Sequence, residues 1–166
     1  MLVVYGSTGY TGRLVVAEAL ARGVRPLLAG RSAGALAAQA EPLGLAWRAA
    51  ALDDAAALDR ALDGATVVLH CAGPFVHTWR AMSDACLRRG AHYLDITGEI
   101  AVFEALAARD GAARGRGVML LPGVGFDVVP SDCLAAHLHR RLPDAVRLAL
   151  AFRALGGASR GTLATM

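Results

Sequence analysis

Short apolar runs alternate with helical patterns along most of the 166-residue chain. The apolar runs predict strands over residues 2–5, 26–29, 45–51, 66–71, 92–96, 118–121 and 145–152. The intervening segments predict helices over residues 13–22, 33–40, 55–62, 77–89, 100–114 and 131–141. Repeated strand–helix units predict a doubly wound parallel sheet, because each right-handed crossover lays a helix on the sheet. The expected fold class is therefore α/β.

A glycine-rich segment joins the first predicted strand to the first predicted helix. It consists of Gly6, Ser7, Thr8, Gly9, Tyr10, Thr11 and Gly12. Gly6 permits a tight turn, Gly9 lets a pyrophosphate approach the backbone, and Gly12 allows close packing of helix on strand. The helix start then directs free N–H groups at the phosphates. The segment predicts a Rossmann domain that binds a dinucleotide; an ordinary glycine-rich turn is the alternative.

The residues after the second predicted strand indicate which dinucleotide binds. NAD-binding domains usually place Asp or Glu here, where it accepts hydrogen bonds from the ribose hydroxyls. This sequence has Arg31 and Ser32, which can bind a 2′-phosphate through charge-assisted hydrogen bonds. The pair favours NADP over NAD, with a solvated surface arginine as the alternative. Asp53, after the third predicted strand, is interpreted either as a contact to the adenine edge or as a helix cap.

Small and acidic residues follow the later strands. Small side chains at the end of the fourth strand let a cofactor lie across the sheet; the residues there are Cys71, Ala72, Gly73 and Pro74. Three carboxyl groups, those of Asp95, Glu99 and Asp127, lie at the ends of the next two strands. They are candidates for moving a proton or for holding a substrate ammonium, and capping of turns and helices is the alternative.

Two pairs of side chains have a weaker chemical interpretation. Cys71 with His70 or His77 suggests a thiol nucleophile. His70 and Cys71 are neighbours in a strand and point to opposite faces, so Cys71 is expected to be a small residue beside the cofactor. His137 and His139, two apart on a helix, cannot share a metal ion in the i, i+4 manner and are expected at the surface.

The composition excludes other chemistries. Apolar residues make up 55% of the sequence, which argues against disorder. The net charge of +3 comes from scattered arginines, so nucleic-acid binding is not expected. The sequence has no lysine, which excludes Schiff-base catalysis and the Tyr-x-x-x-Lys proton relay from this chain. No metal site, signal peptide or transmembrane segment is expected, and a cytoplasmic protein is the default expectation.

Taken together, these segments resemble the saccharopine dehydrogenase-like oxidoreductases, a family that includes the trans-acting enoyl reductases. The resemblance covers nearly the whole chain, and the segments that carry it are residues 6–12, 29–31, 71–75, 93–99, 122–132 and 161–166. Ser7 is a departure, because the family commonly has alanine there. The resemblance implies an NADP-dependent oxidoreductase that transfers hydride to a C=N, C=O or C=C bond of a small metabolite or lipid precursor.

Length is the larger departure, because members of the family carry a substrate domain after the Rossmann domain; the sequence is expected to be either a fragment or a naturally short form. We expect residues 1–130 to form the NAD(P)-binding domain and residues 131–166 to form a linking helix and the beginning of a substrate domain. A non-catalytic NAD(P) sensor is the alternative function, because such proteins share the glycine-rich segment and often lack catalytic residues. The apolar run over residues 145–152 is a candidate edge for a homodimer.

Overall fold

The computed structural model describes residues 1–151. The six strands are β1 (Leu2–Tyr5), β2 (Leu27–Gly30), β3 (Trp47–Ala49), β4 (Val67–His70), β5 (His92–Asp95) and β6 (Leu120–Leu121). The helices are α1 (Tyr10–Ala21), α2 (Ala33–Ala40), α3 (Ala55–Ala61), α4 (Phe75–Arg89), α5 (Ile100–Ala107), α6 (Asp110–Arg116) and α7 (Val129–Arg141). A short 3₁₀ helix, Glu41–Leu43, follows α2.

All six strands are parallel and lie in the order β3-β2-β1-β4-β5-β6. The chain therefore begins in the middle of the sheet, where Val3 aligns with Leu27 on one side and with Val68 on the other. The strand order reverses between β1 and β4, which is where open α/β sheets bind their ligands, beyond the carboxyl ends of the strands. The expected Rossmann-type α/β fold is confirmed.

Helices cover both faces of the sheet, and alternate residues of each strand belong to opposite cores. Val3 and Tyr5 of β1 pack on the face that carries α3, α4 and α5. Val4 packs on the other face, against Val16 of α1 and Leu36 of α2. Since strands buried on both faces are apolar throughout, the central strands β1 and β2 are continuous apolar runs.

The predicted helix over residues 100–114 is instead two helices, α5 and α6. The chain leaves helical geometry at Arg109, where φ is −95° and ψ is 4°. The Arg109 guanidinium lies 4.8 Å from the ring centre of Trp79 and pairs with Asp84 at 2.6 Å. We attribute the break to these contacts with α4, which a periodic apolar pattern does not reveal.

The strand predicted over residues 145–152 was wrong for the part that the structure describes. Residues 145–151 form neither helix nor strand, and Val146 is 93% exposed. An apolar run becomes a strand only when it pairs with another strand, and these residues have no such pairing. Residue 152 and residues 156–166, where the sequence predicts a loop that begins another helix, lie outside the described residues.

Helix α7 spans the expected boundary at residue 130, and none of its side chains is buried. Across residues 1–151, no helix has both the length and the apolar character needed to cross a membrane.

Candidate cofactor site

The glycine-rich segment forms a tight loop between β1 and α1. Gly6 has a φ of +81°, and its N–H donates to the carbonyl oxygen of Ala29 at 2.8 Å. A Cβ added to Gly12 would lie 2.2 Å from the carbonyl oxygen of Gly6. Because positive φ and this close contact both exclude larger residues, Gly6 and Gly12 are required by the backbone itself.

The start of α1 presents unpaired backbone donors. The first hydrogen bond of this helix runs from the N–H of Arg13 to the carbonyl oxygen of Gly9, at 3.0 Å. Within residues 1–151, the N–H groups of Tyr10, Thr11 and Gly12 therefore have no carbonyl partner. Such a helix start, with no acidic side chain in its first turn, is suited to an anion.

The side chains of this loop differ in what they can reach. Gly9 and Tyr10 are exposed, whereas Thr8 and Thr11 are half-buried. Ser7, which sequence analysis grouped with the cofactor contacts, is fully buried. Its hydroxyl donates to Gln39 at 2.9 Å, so it shapes the loop and does not present its side chain to a ligand.

Arg31 and Ser32 follow β2 at the same edge of the sheet. Arg31 is exposed, and the Ser32 hydroxyl accepts a hydrogen bond from the N–H of Ala35 as the cap of α2, at 3.4 Å. Burial raises the pKa of the nearby Tyr5 to about 12; the charge of Arg31 lowers this pKa and that of Asp53 raises it.

The structure separates the two interpretations of Asp53. The cap of α3 is the neighbouring Asp54, whose Oδ1 accepts from the N–H of Ala57 at 2.8 Å. Asp53 is exposed and makes no side-chain hydrogen bond within the described chain. Its carboxylate is thus free to contact an adenine edge, and this role stays a prediction.

The segment after β4 lies directly against the glycine-rich loop. A Cβ on Gly6 would lie 2.9 Å from the backbone N of Ala72, so the two segments meet between β1 and β4. Burial raises the pKa of the Cys71 thiol to about 12, with a further contribution from the charge of Asp95. Cys71 is therefore a neutral thiol at neutral pH, which argues against a nucleophile. Gly73 and Pro74 complete the segment and are joined by a cis peptide bond.

Asp95 is a buried structural carboxylate. It accepts hydrogen bonds from the Tyr93 hydroxyl at 2.6 Å, from the N–H of Thr97 at 3.0 Å and from the N–H of Gly123 at 2.9 Å. Burial raises the pKa of Asp95, although these three bonds oppose the shift. The side chain joins the end of β5 to the loop after β6.

Glu99 has a structural role like that of Asp95, whereas Asp127 is exposed. The Glu99 carboxylate accepts from the N–H of Phe75 at 2.9 Å and from that of Val76 at 2.6 Å, which caps α4 from a distant segment. Asp127 is exposed, and a Cβ built on Gly98 would lie 3.0 Å from its Oδ2. The three carboxyl groups share one edge of the sheet, but two of them have structural partners.

Comparison with known proteins decides the family. Residues 2–121 match the family model of the saccharopine dehydrogenase NADP binding domain. The chain belongs to this family. The resemblance found in the sequence is confirmed, and NADP is the cofactor that this family membership indicates.

Relatives of this saccharopine dehydrogenase-type domain are much longer proteins. A trans-acting enoyl reductase from Mycobacterium ulcerans (strain Agy99) is 31% identical over 151 residues, which cover 86% of this chain and 36% of the relative. The saccharopine dehydrogenase-like oxidoreductase of Homo sapiens is 31% identical over 151 residues, with coverage of 79% and 35%. The chain thus spans about a third of the length of these relatives.

Solved structures share the fold. The apo saccharopine dehydrogenase (L-Glu forming) of Saccharomyces cerevisiae matches with a TM-score of 0.73 at 18% identity, covering 87% of this chain and 31% of that one. The triphenylmethane reductase of Citrobacter sp., solved with NADP(H), matches with a TM-score of 0.56 at 19% identity, covering 70% and 46%.

Sequence reasoning missed Gln39 and did not place His70 in the core of this saccharopine dehydrogenase-type domain. Gln39 holds the glycine-rich loop through Ser7, and its only signal is that it is the single polar side chain in the alanine-rich helix α2. His70 lies between Tyr5 and Tyr93 in the core, and burial lowers its pKa to about 3.

As expected, His70 and Cys71 lie on opposite faces of the sheet. His137 and His139 are exposed. In the described part of the chain, no three His, Cys, Asp or Glu side chains are grouped as a metal site would require.

Proposed function

We propose that this chain is the NADPH-binding part of an oxidoreductase that transfers hydride to a C=N, C=O or C=C bond of a small metabolite or lipid precursor. The observation that carries the proposal is the pairing of two features at one sheet edge. The start of α1 has unpaired N–H groups for a diphosphate, and exposed Arg31 follows β2, where an NAD-binding domain has a carboxylate.

The chemistry of the cofactor determines what the protein itself must contribute to the reaction. NADPH supplies the hydride when bound, and the protein orients it and supplies a proton. Asp95 and Glu99 have structural hydrogen-bond partners. Asp127 is exposed and, among residues 1–151, its carboxylate has no hydrogen-bond donor. We therefore propose Asp127 as the first of the three carboxyl groups to test as the proton donor.

The cofactor preference is tested by fluorescence titration with NADPH and NADH. We expect NADPH to bind at least tenfold more tightly, a difference of about 1.4 kcal/mol. Arg31→Ala should remove this preference, because the 2′-phosphate loses its guanidinium. Arg116→Ala, at an exposed position at the end of α6, is the control and should leave both affinities unchanged. Equal binding of NADPH and NADH by the unaltered chain would contradict the assignment of Arg31.

A non-catalytic NADP sensor is the second candidate function. It is favoured by the structural roles of Asp95 and Glu99, which leave few groups for chemistry. The sensor binds NADPH without oxidising it, whereas the enzyme oxidises NADPH when an imine or enoyl substrate is added. In the enzyme, Asp127→Asn should lower kcat and leave the Kd for NADPH unchanged.

Four further expectations belong to the proposal. The catalytic partner of this domain is a substrate domain beginning near residue 131, and the substrate is a small molecule. The location is cytoplasmic, which fractionation of cells would measure. The apolar run that motivated a homodimer forms no strand over residues 145–151, so a homodimer stays a candidate assembly, which a monomer on sizing chromatography would contradict.

A further inference from the structure

A loop that binds a diphosphate must keep its carbonyl oxygens away from the anion, because their negative ends repel it. The glycine-rich loop meets this need one carbonyl at a time. The Gly6 oxygen accepts from the N–H of Gly9 at 3.0 Å, and the Thr8 oxygen accepts from Nε of Arg13 at 3.0 Å. The Ser7 oxygen accepts from Nε2 of Gln39 at 2.9 Å. Two of these carbonyl groups are thus held by side chains.

The contact of Gln39 with Ser7 is two-sided. The Gln39 amide donates to the Ser7 carbonyl oxygen, and its Oε1 accepts from the Ser7 hydroxyl at 2.9 Å. The two bonds together determine which way the amide faces. Ser7 is fully buried and Gln39 half-buried, so water cannot readily replace this donor. Arg13, in contrast, is exposed, and its bond to Thr8 is open to replacement by water.

We propose that Gln39 is a positioning residue for the cofactor. Its amide turns the Ser7 carbonyl group away from the diphosphate, so that the N–H groups of Tyr10, Thr11 and Gly12 face the anion without an opposing dipole. This role rests on the proposed NADPH binding. Within residues 1–151, the side-chain hydrogen bonds of Gln39 both go to Ser7, so Gln39 acts on the cofactor through the loop.

The test is the near-isosteric substitution Gln39→Met, which keeps the length of the side chain and the helix propensity of α2 but removes the donor. We expect the Kd for NADPH to rise about tenfold, equivalent to about 1.4 kcal/mol. Adenosine 2′-monophosphate lacks the diphosphate, so its Kd should change less than twofold. Ser7→Ala keeps the bond from Gln39 to the carbonyl oxygen and should therefore weaken NADPH binding less than Gln39→Met does.

Arg25→Gln is the matched control. Arg25 also holds carbonyl groups, those of Leu43 at 3.3 Å and Gly44 at 2.6 Å, but these lie after α2 and outside the glycine-rich loop. Arg25→Gln should reduce thermal stability, and it should not change the Kd for NADPH more than the Kd for adenosine 2′-monophosphate. If Gln39→Met raises the Kd for NADPH and the Kd for adenosine 2′-monophosphate by the same factor, or leaves the Kd for NADPH unchanged, the positioning role is refuted.

A wild-type chain that binds no NADPH would contradict the proposed function and still leave the role of Gln39 open to measurement. The amide resonances of Thr8 and Gly9 in the ligand-free protein report the orientation of the Ser7 peptide group. They should move in Gln39→Met and stay in place in Arg25→Gln. Unchanged resonances in Gln39→Met would refute the proposal independently of any ligand.

Discussion

The carboxylate of Glu99 should stabilise the protein by capping α4, and Glu99→Ala tests this directly. The helix begins after Pro74, which offers no capping side chain. Glu99 supplies acceptors for the N–H groups of Phe75 and Val76, at 2.9 and 2.6 Å. Loss of a helix cap costs about 0.5–2 kcal/mol. Because both bonds involve a charged acceptor at the positive end of a 15-residue helix, we expect the upper end of that range.

The assay is thermal unfolding followed by circular dichroism. A loss of about 2 kcal/mol corresponds to a fall in Tm of about 4–8 °C for a domain of this size. Glu104→Ala is the control, because Glu104 is an exposed glutamate of α5 without a side-chain partner in the described chain. Equal Tm values for the two variants would refute the capping role. If Glu99 instead supplied a catalytic proton, Glu99→Gln would abolish turnover while Tm stayed unchanged.

Three further predictions concern packing and ionisation. Gly12→Ala places a Cβ 2.2 Å from the carbonyl oxygen of Gly6, so it should lower Tm and abolish NADPH binding. Gly34→Ala is the control, because a Cβ there has no neighbouring atom within 4 Å. This control should bind NADPH normally and leave Tm unchanged or slightly higher. Iodoacetamide at pH 8 should label exposed Cys133 and spare the half-buried Cys71, whose pKa is raised to about 12 by burial. Mass spectrometry locates the label, and rapid labelling of Cys71 would contradict its raised pKa. The pKa of His70 is lowered to about 3. Between pH 6.5 and 3 the unfolded state therefore binds about one more proton than the folded state, and the free energy of unfolding falls by about 1.4 kcal/mol for each unit by which the pH is lowered. His70→Asn should lower stability at neutral pH and reduce that slope in urea titrations, and an unchanged slope would exclude His70 as its source.

Much of the fold follows from the sequence because strands buried on both faces are short, continuous apolar runs. All six strands of the sheet were predicted, and β1 was predicted with its observed bounds. The glycine-rich segment could also be interpreted residue by residue, since positive φ at Gly6 and close packing at Gly12 leave a direct signature in the choice of residue.

The contacts between distant segments could not be predicted. A carboxylate that caps a helix start 23–24 residues away, as Glu99 does, has the same local sequence as a catalytic acid. The division between α5 and α6 likewise depends on contacts of Arg109 with Trp79 and Asp84. The strand prediction was wrong over residues 145–151 for the opposite reason, because apolar character alone does not provide a pairing partner.

The order of the strands also affects how the chain can fold. β1 forms the centre of the sheet, yet one of its two neighbours, β4, begins only at Val67. During synthesis, β1, β2 and β3 can pair first, and the other edge of β1 stays open until β4 has been made, about 65 residues after β1. Long-range parallel pairing of this kind is slow, and an open apolar edge promotes aggregation. Nascent chains that end before β4 are therefore the ones that most need a chaperone.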